Sequence, residues 1–155
     1  MPHPLSQTEF DTIYARVPRL CVEVIMVEPE GVVLTKRAIA PGEGLWHIPG
    51  ATLRFGETLA DAAHRVAQEE CHVAIDDLEQ LGVVEYVFEG YPQWPVSVLY
   101  LAKPLTRRYR HDRTATDVRP FKVPEGIAQL AIIEQHRALL LEHGAHIKRR
   151  MHGGA

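Results

Sequence analysis

The chain has few of the features that would place it in a specialised class of protein. Its two cysteines, Cys21 in a predicted strand and Cys71 on a predicted helix, are too few for a disulfide framework and are expected to be buried free thiols in a reducing cytoplasm. The net charge of −3 gives no basic excess, so no nucleic-acid partner is expected. No apolar run is long enough to span a membrane, and no signal peptide precedes the first strand, so a cytoplasmic protein without a membrane partner is expected.

The sequence does contain the alternating strand and helix patterns of a globular protein. We expect one domain over residues 1–155, with an N-terminal helical segment (1–17, helix 5–16) and a polar, frayed tail (144–155). A long helix is predicted over 126–143. The predicted strands are 19–28, 31–37, 45–48, 80–88, 96–103 and 117–121. This order of elements predicts a mixed α/β (α+β) layer structure.

The most informative stretch is Trp46–Val73, because an amphipathic helix within it carries a glutamate where an apolar residue is expected. A T-x-x-D capping box predicts that this helix begins at Thr58, after a loop over 49–56. A step of about 100° per residue then forms one stripe. The stripe contains Leu59, Ala63, Val66 and Glu70, with Ala62 and Glu69 along its border. Since an unpaired buried carboxylate is costly, the two glutamates indicate a bound metal ion or a paired arginine. Magnesium bound to phosphate oxygens would suit the site, because it takes only one or two protein carboxylates.

In these residues the chain resembles the Nudix hydrolase family, whose box reads G-x5-E-x7-R-E-U-x-E-E-x-G-U, where U is aliphatic. The matching positions are Glu57, Arg65, Glu69, Glu70 and Val73. The departures are Ala51 and His72 in place of glycines and Val66 in place of the glutamate after the arginine. The resemblance implies a Nudix fold, with a mixed sheet sandwiched between helices, and Mg²⁺ or Mn²⁺ as cofactor. It also implies that Arg65 holds Glu57 and the preceding loop in place.

Within the family the chain is most similar to the GDP-mannose mannosyl hydrolase branch. That branch also has an aliphatic residue after the arginine, and it cleaves at the sugar carbon instead of phosphorus. Motifs shared outside the box include Gln7-Thr8-Glu9-Phe10, Lys36-Arg37, Gly44-Leu45-Trp46 and Asp117-Val118-Arg119. Two groups of the branch are missing, since Thr52 stands at its second arginine and Ala115 at its general-base histidine.

The resemblance implies a role for each candidate site residue. The implied metal ligands are Gly50, through its backbone carbonyl, Glu69 and Glu70. Arg37 would stabilise the leaving diphosphate, because a fixed guanidinium pairs two phosphate oxygens at once. Glu23 sits where the branch has an acidic substrate contact. His111 is the histidine nearest to the position of the missing base.

Several of these residues have simpler alternatives. Arg37 is equally consistent with a surface charge at a strand end, and His111 with an exposed loop histidine. The aromatic loop 91–95 contains Trp94, which could stack on a nucleobase as a substrate contact. A loop packed locally or against a second subunit explains Trp94 as well.

The resemblance favours a metal-dependent hydrolase of a nucleoside diphosphate linked to another group, such as the nucleotide sugar GDP-mannose. Water would attack the sugar carbon or a phosphorus. The alternative is a Nudix-derived nucleotide-binding or regulatory module without efficient turnover. The departures that favour the module are Ala51, Thr52, Val66, His72 and Ala115. The retained box carboxylates count against it. Apolar residues on the first and last helices, together with the resemblance, predict a homodimer.

Overall fold

The structure is built around a long central strand whose two faces carry the two halves of the hydrophobic core. The computed structural model describes residues 4–153. The strands are β1 (Arg19–Glu28), β2 (Gly31–Arg37), β3 (Trp46–His47), β4 (Gly50–Thr52), β5 (Ile75–Glu85), β6 (Pro95–Pro104) and β7 (Ala115–Phe121). The helices are α1 (Gln7–Tyr14), α2 (Leu59–Cys71), α3 (Glu134–Glu142) and α4 (Gly144–Met151).

The strands form a mixed sheet in the order β3-β2-β1-β6-β5. Strands β1 and β6 run parallel, with Arg19 opposite Pro95 and Met26 opposite Ala102. The other neighbours along this order are antiparallel. Two strands pair beside this path, β4 with β1 and β7 with β2, both antiparallel. Strand β4 therefore brings the segment before α2 against the beginning of β1.

Side chains alternate across the sheet, so that each face of β1 packs against different helices. One face contributes Val22, Val24 and Met26 to a core that includes Ala62, Ala63, Val66 and Ala67 of α2. The opposite face contributes Ile25 and Val27 to a core with Leu139, Leu140 and Ile147 of α3 and α4. The predicted α/β fold with a mixed sheet between helices is confirmed.

Helix α2 begins at the predicted cap. The Thr58 hydroxyl accepts a hydrogen bond from the Asp61 backbone N–H at 3.1 Å. The helix ends at Cys71, and its C-cap residue His72 adopts a left-handed conformation with φ of 57°. Glycine adopts this conformation most easily, which explains the glycine of the box at this position. Here the His72 ring instead contacts the chain, with Nδ1 2.7 Å from the Arg110 carbonyl oxygen.

Most predicted elements agree with the structure to within two residues, and three segments before the C-terminal tail differ by more. The helix predicted over 126–143 is wrong in its first half, because residues 131–133 run alongside β3. Trp46 N donates to the Ala131 carbonyl at 2.8 Å, and Ile133 N donates to the Trp46 carbonyl at 3.0 Å. The loop predicted over 49–56 contains strand β4, and β5 begins five residues before the predicted residue 80.

The C-terminal segment also differs from its prediction. Within the predicted frayed tail (144–155), residues Gly144–Met151 instead form helix α4, and Ile147 is fully buried within the core. Two contacts to β5 hold α4, since Arg150 NH1 lies 2.6 Å from Asp77 Oδ2 and His146 Nε2 lies 3.1 Å from Glu79 Oε1. The one-domain prediction also includes residues 1–3 and 154–155, which lie outside the described residues.

Two further predictions concern cysteines and membrane spans. Cys21 and Cys71 are buried free thiols, as predicted. Within residues 4–153, no helix has the length and apolar character needed to cross a membrane.

Candidate functional site

A cavity of about 600 Å³ opens between the beginning of β1, the short strands β3 and β4, and the beginning of α3. A volume of this order suits a nucleotide-sized ligand. Its lining brings together three of the predicted site residues, Glu23, Arg37 and Gly50. The sheet explains how Glu23 and Gly50 meet, since the two residues pair directly across β1 and β4. A Cβ atom on Gly50 would lie 2.6 Å from Glu23 Cγ, so this close approach requires a glycine.

The Glu23 carboxylate is the centre of a buried hydrogen-bonded chain in the cavity wall. One oxygen accepts from the Tyr86 hydroxyl, and the other lies 3.2 Å from His136 Nε2. The opposite ring nitrogen, His136 Nδ1, accepts from the Ile48 backbone N–H at 3.0 Å. The proton of this imidazole is therefore assigned to Nε2, facing Glu23. Burial, followed by the charge of Glu23, raises the pKa of the Tyr86 hydroxyl, so that the tyrosine stays a donor.

A second histidine lies in the same wall and stays neutral. His47 Nε2 is 2.8 Å from the Thr35 hydroxyl, and its Nδ1 is 2.8 Å from the Ile48 carbonyl oxygen. Burial is the main reason that the pKa of His47 falls to about 3, and the nearby His136 and Arg37 lower it further. Neither histidine was identified from the sequence, because no motif links residue 136 to strands more than eighty positions before it.

Arg37 lies at the end of β2 and lines the cavity as a cation. Its Nε donates to the Pro41 carbonyl oxygen, which fixes the side chain across the loop that follows β2. Burial lowers the pKa of Arg37, whereas the carboxylate of Glu70 raises it. The guanidinium thus lines the cavity within range of the charge of Glu70, and it can contact an anion bound in the cavity.

Of the two adjacent glutamates on α2, Glu70 is the one without an arginine ion pair among the described residues. Burial, and secondarily the charge of Asp112, raises the pKa of Glu70 to about 8. A hydrogen bond with the Gly50 backbone and the charge of Arg37 lower this pKa, whereas the charge of Glu23 raises it further. A partly buried carboxylate surrounded by two others is a setting that a cation would stabilise. The donor chemistry therefore fits a hard divalent ion at Glu70 and Gly50.

Asp112 was missed as a candidate because it lies in an irregular segment before β7. Only the fold places this segment beside the end of α2, where Arg110 N donates to the Cys71 carbonyl at 3.1 Å. Within the described residues, no group of three or more His, Cys, Asp or Glu side chains has the geometry of a complete metal site. Water and phosphate oxygens would have to supply the other ligands, as magnesium commonly requires.

Glu69, unlike Glu70, contacts two arginines. Its carboxylate oxygens lie 3.2 Å from Arg54 NH2 and 3.3 Å from Arg65 NH1, and its side chain is 47% exposed. Arg65 also binds Glu57, with Nε 2.6 Å from Oε1. The structure therefore joins Glu57, Arg65 and Glu69 in one ion-paired group and leaves Glu70 beside Gly50.

His111 and Trp94 also lie outside the cavity lining. His111 is exposed, and its Nδ1 is 2.9 Å from the carbonyl oxygen of the neighbouring Asp112. Trp94 is 50% exposed, while Tyr91 and Phe88, from the segment before it, line the cavity. The aromatic surface that a flat ring would meet is thus formed by Phe88 and Tyr91.

The comparisons with known proteins agree on one domain family. The model of the NUDIX domain family matches residues 17–150. The low-salt glycan biosynthesis protein Agl8 of Haloferax volcanii is 37% identical over 85 residues, which cover 55% of this chain and 54% of that protein. The chain spans about half the length of the curated relatives it matches.

Solved structures with the same fold include two bacterial proteins. A MutT NUDIX hydrolase from Burkholderia pseudomallei superposes with a TM-score of 0.73 at 24% identity, covering 82% of this chain and 98% of that one. The NUDIX domain of Shewanella oneidensis NrtR, solved as a complex with ADP ribose, gives a TM-score of 0.72 at 22% identity, covering 92% and 98%.

Proposed function

The chain belongs to the NUDIX domain family, and from this premise we propose that it hydrolyses a nucleoside diphosphate linked to another group, with a nucleotide sugar such as GDP-mannose favoured. The observation that carries the proposal is the placement of Arg37 and Glu70 around Gly50, at the edge of a nucleotide-sized cavity. A guanidinium and a carboxylate that suits a divalent cation lie where a diphosphate would need both.

In this proposal Gly50, Glu69 and Glu70 would hold Mg²⁺ or Mn²⁺, and the bound ion would supply positive charge against the diphosphate. Glu70 is the ligand best supported, because its pKa of about 8 reflects burial and the nearby carboxylate of Asp112, which outweigh the charge of Arg37. Glu69 would have to exchange its contacts with Arg54 and Arg65 to join the site. Arg37 stabilises the departing diphosphate, and Glu23 positions the substrate through its fixed carboxylate.

The proposed roles of His111 and Trp94 each require a loop to move. His111 would act as general base only if the loop around Asp112 moved toward the cavity on substrate binding. Trp94 would contact the base only if loop 91–95 closed over the cavity. Activity that is unchanged in His111→Ala and Trp94→Ala would remove both from the mechanism.

Turnover is tested with a panel of nucleotide sugars and dinucleotides in the presence of magnesium. Glu70→Gln should abolish turnover, while Glu142→Gln, which removes an exposed carboxylate on α3, should leave it unchanged. Equal turnover by Glu70→Gln and the unaltered protein would contradict the catalytic assignment. Reaction in oxygen-18 water then separates the two chemistries, since label in the phosphate product means attack at phosphorus and label in the sugar means attack at carbon.

A nucleotide-binding or regulatory module is the second candidate function. The specific observation in its favour is that the NrtR NUDIX domain, which has the same fold, was solved with ADP ribose bound. The non-standard box residues Ala51, Val66 and His72 also favour binding without efficient turnover. Calorimetry that shows tight nucleotide binding, together with no product from the whole panel, would favour this module over the hydrolase.

We also propose a homodimer that works in the cytoplasm, without nucleic-acid partners. Exposed apolar residues are consistent with a subunit contact, including Ile13, Val17 and Leu20 near the beginning of the chain. Light scattering after size exclusion that gives the 17.5 kDa mass of one chain would exclude the dimer.

A further inference from the structure

A second arginine lines the cavity, and neither the box nor the predicted site includes it. Arg19 is the first residue of β1, and alternate residues of this strand, Arg19, Cys21 and Glu23, face the cavity. Its guanidinium lies over the Phe10 ring of α1, with Cζ 5.6 Å from the ring centroid. Its NH1 lies 3.4 Å from the Thr52 hydroxyl of β4. Contacts from two different elements therefore hold the side chain in place.

The Arg19 guanidinium is incompletely paired. Its Nε is buried and has no hydrogen-bond partner among the described residues. No carboxylate in residues 4–153 lies within 4.0 Å of the Arg19 or Arg37 guanidinium, although six other arginines have such partners. A buried donor without an acceptor is costly, so the contacts within the protein leave part of the hydrogen-bonding capacity of this guanidinium unused.

Two guanidiniums without a carboxylate ion pair thus share one cavity. They are close enough that the charge of Arg19 acts on Arg37. Like charges held together repel each other, and an anion that spans both relieves the repulsion. A diphosphate carries charge on two adjacent groups, and each group presents the oxygen geometry that a guanidinium recognises.

We propose that Arg19 and Arg37 together bind the diphosphate of the substrate, with Arg19 donating directly to a phosphate oxygen. This inference rests on the proposed function, since it identifies a further binding residue for the same substrate class. It assigns α1 a role as well, because the Phe10 ring of that helix fixes the Arg19 guanidinium.

The experiment measures binding of inorganic pyrophosphate and GDP by calorimetry, with magnesium present. Arg19→Gln removes the charge at the cavity, and Arg16→Gln removes an exposed charge three residues earlier, as a matched control. Arg19→Gln should weaken binding of both probes roughly tenfold to hundredfold, the loss expected for a charged hydrogen bond. Arg19→Lys should restore part of it, and Arg16→Gln should bind like the unaltered protein.

Thermal unfolding of each variant separates binding from folding. Phe10→Leu removes the ring contact and keeps the guanidinium, so it should weaken pyrophosphate binding less than Arg19→Gln. Equal affinities of Arg19→Gln and Arg16→Gln, or an unaltered protein that binds neither probe, would overturn the proposal. Failure of the proposed function gives a different result, namely no turnover of the panel while diphosphate affinity still depends on Arg19.

Discussion

Arg65 binds both oxygens of the Glu57 carboxylate, with Nε 2.6 Å from Oε1 and NH2 2.9 Å from Oε2. The same NH2 donates to the Thr52 carbonyl at 3.0 Å, and Glu57 accepts from the Arg54 backbone N–H at 3.0 Å. This one pair therefore ties α2 to β4 and to the loop between them. Since Glu70 and Gly50 belong to those same elements, the Arg65 contact sets the geometry of the proposed metal site.

Arg65→Met should destabilise the fold by about 3–5 kcal/mol, because it leaves the buried Glu57 carboxylate without its counter-ion. Hydrogen bonds from Arg65 lower the pKa of Glu57 below its ordinary value of 4.5. The stabilisation is therefore present above about pH 4.5 and is lost as the pH falls through the lower value in the folded protein. Chemical denaturation at pH 7 and pH 3 measures both effects, and the difference between variant and unaltered protein should shrink at pH 3.

The control for this prediction is Glu69→Gln, which removes the other carboxylate partner of Arg65. Since Glu69 is 47% exposed, its loss should cost less than about 1 kcal/mol. Equal costs for the two variants would mean that the Glu57 pair does not secure the loop.

The sequence predicted the fold class and most strands, because the core strands are long and their apolar pattern is regular. It did not predict β4, since a strand of three residues has too little pattern to distinguish it from a loop. The helix predicted over 126–143 had the right apolar spacing. Backbone pairing of residues 131–133 with Trp46 overrode that local pattern, and such a tertiary contact has no local signal.

Glu70 should make the metal-free protein less stable as the pH rises. Its pKa of about 8 in the folded state lies above the ordinary 4.5, so the folded protein holds this proton more tightly than the unfolded chain. The loss of unfolding free energy through ionised Glu70 begins near pH 4.5, grows until about pH 8 and is then constant. In EDTA, Glu70→Gln should therefore be more stable than the unaltered protein by up to about 4 kcal/mol at pH 8 and equal to it near pH 4.

With magnesium added at pH 8, the unaltered protein should become more stable than Glu70→Gln. The unaltered protein should gain stability because the ion binds the ionised carboxylate, and Glu70→Gln should not. Magnesium affinity measured by calorimetry should rise with pH up to about 8, with release of a proton on binding. A stability difference that does not change between pH 5 and pH 8 in EDTA would contradict the raised pKa.

His136 should stabilise the fold through its contacts in the cavity wall, although no sequence motif includes it. His136→Ala removes the acceptor of the Ile48 N–H and one partner of the Glu23 carboxylate, so we expect a loss of about 2–4 kcal/mol of unfolding free energy. His64→Ala, on the exposed face of α2, should change stability by less than about 0.5 kcal/mol. Urea denaturation measures both variants, and a neutral His136→Ala would show that water replaces the ring without cost.

The site could be predicted only where its residues belong to one local motif. Glu57, Arg65, Glu69 and Glu70 follow from the box, but their spacing did not reveal that adjacent glutamates point to different partners. Arg19, Asp112 and His136 come from three distant segments that meet through sheet pairing and loop packing. Their roles depend on distances across the fold, which periodicity within one segment does not encode.

Ile147 provides the test of whether the C-terminal helix is part of the folded domain. It is fully buried beside Leu140, and Arg150 fixes the next turn of α4 through Asp77. Ile147→Ala should therefore cost about 2–5 kcal/mol through the cavity that it leaves. Arg149→Ala, an exposed change on the same helix, should have little effect on the urea midpoint. If both variants unfold at the same urea concentration as the unaltered protein, α4 does not contribute to the core, and the frayed tail expected from composition describes the chain in solution better than the helix does.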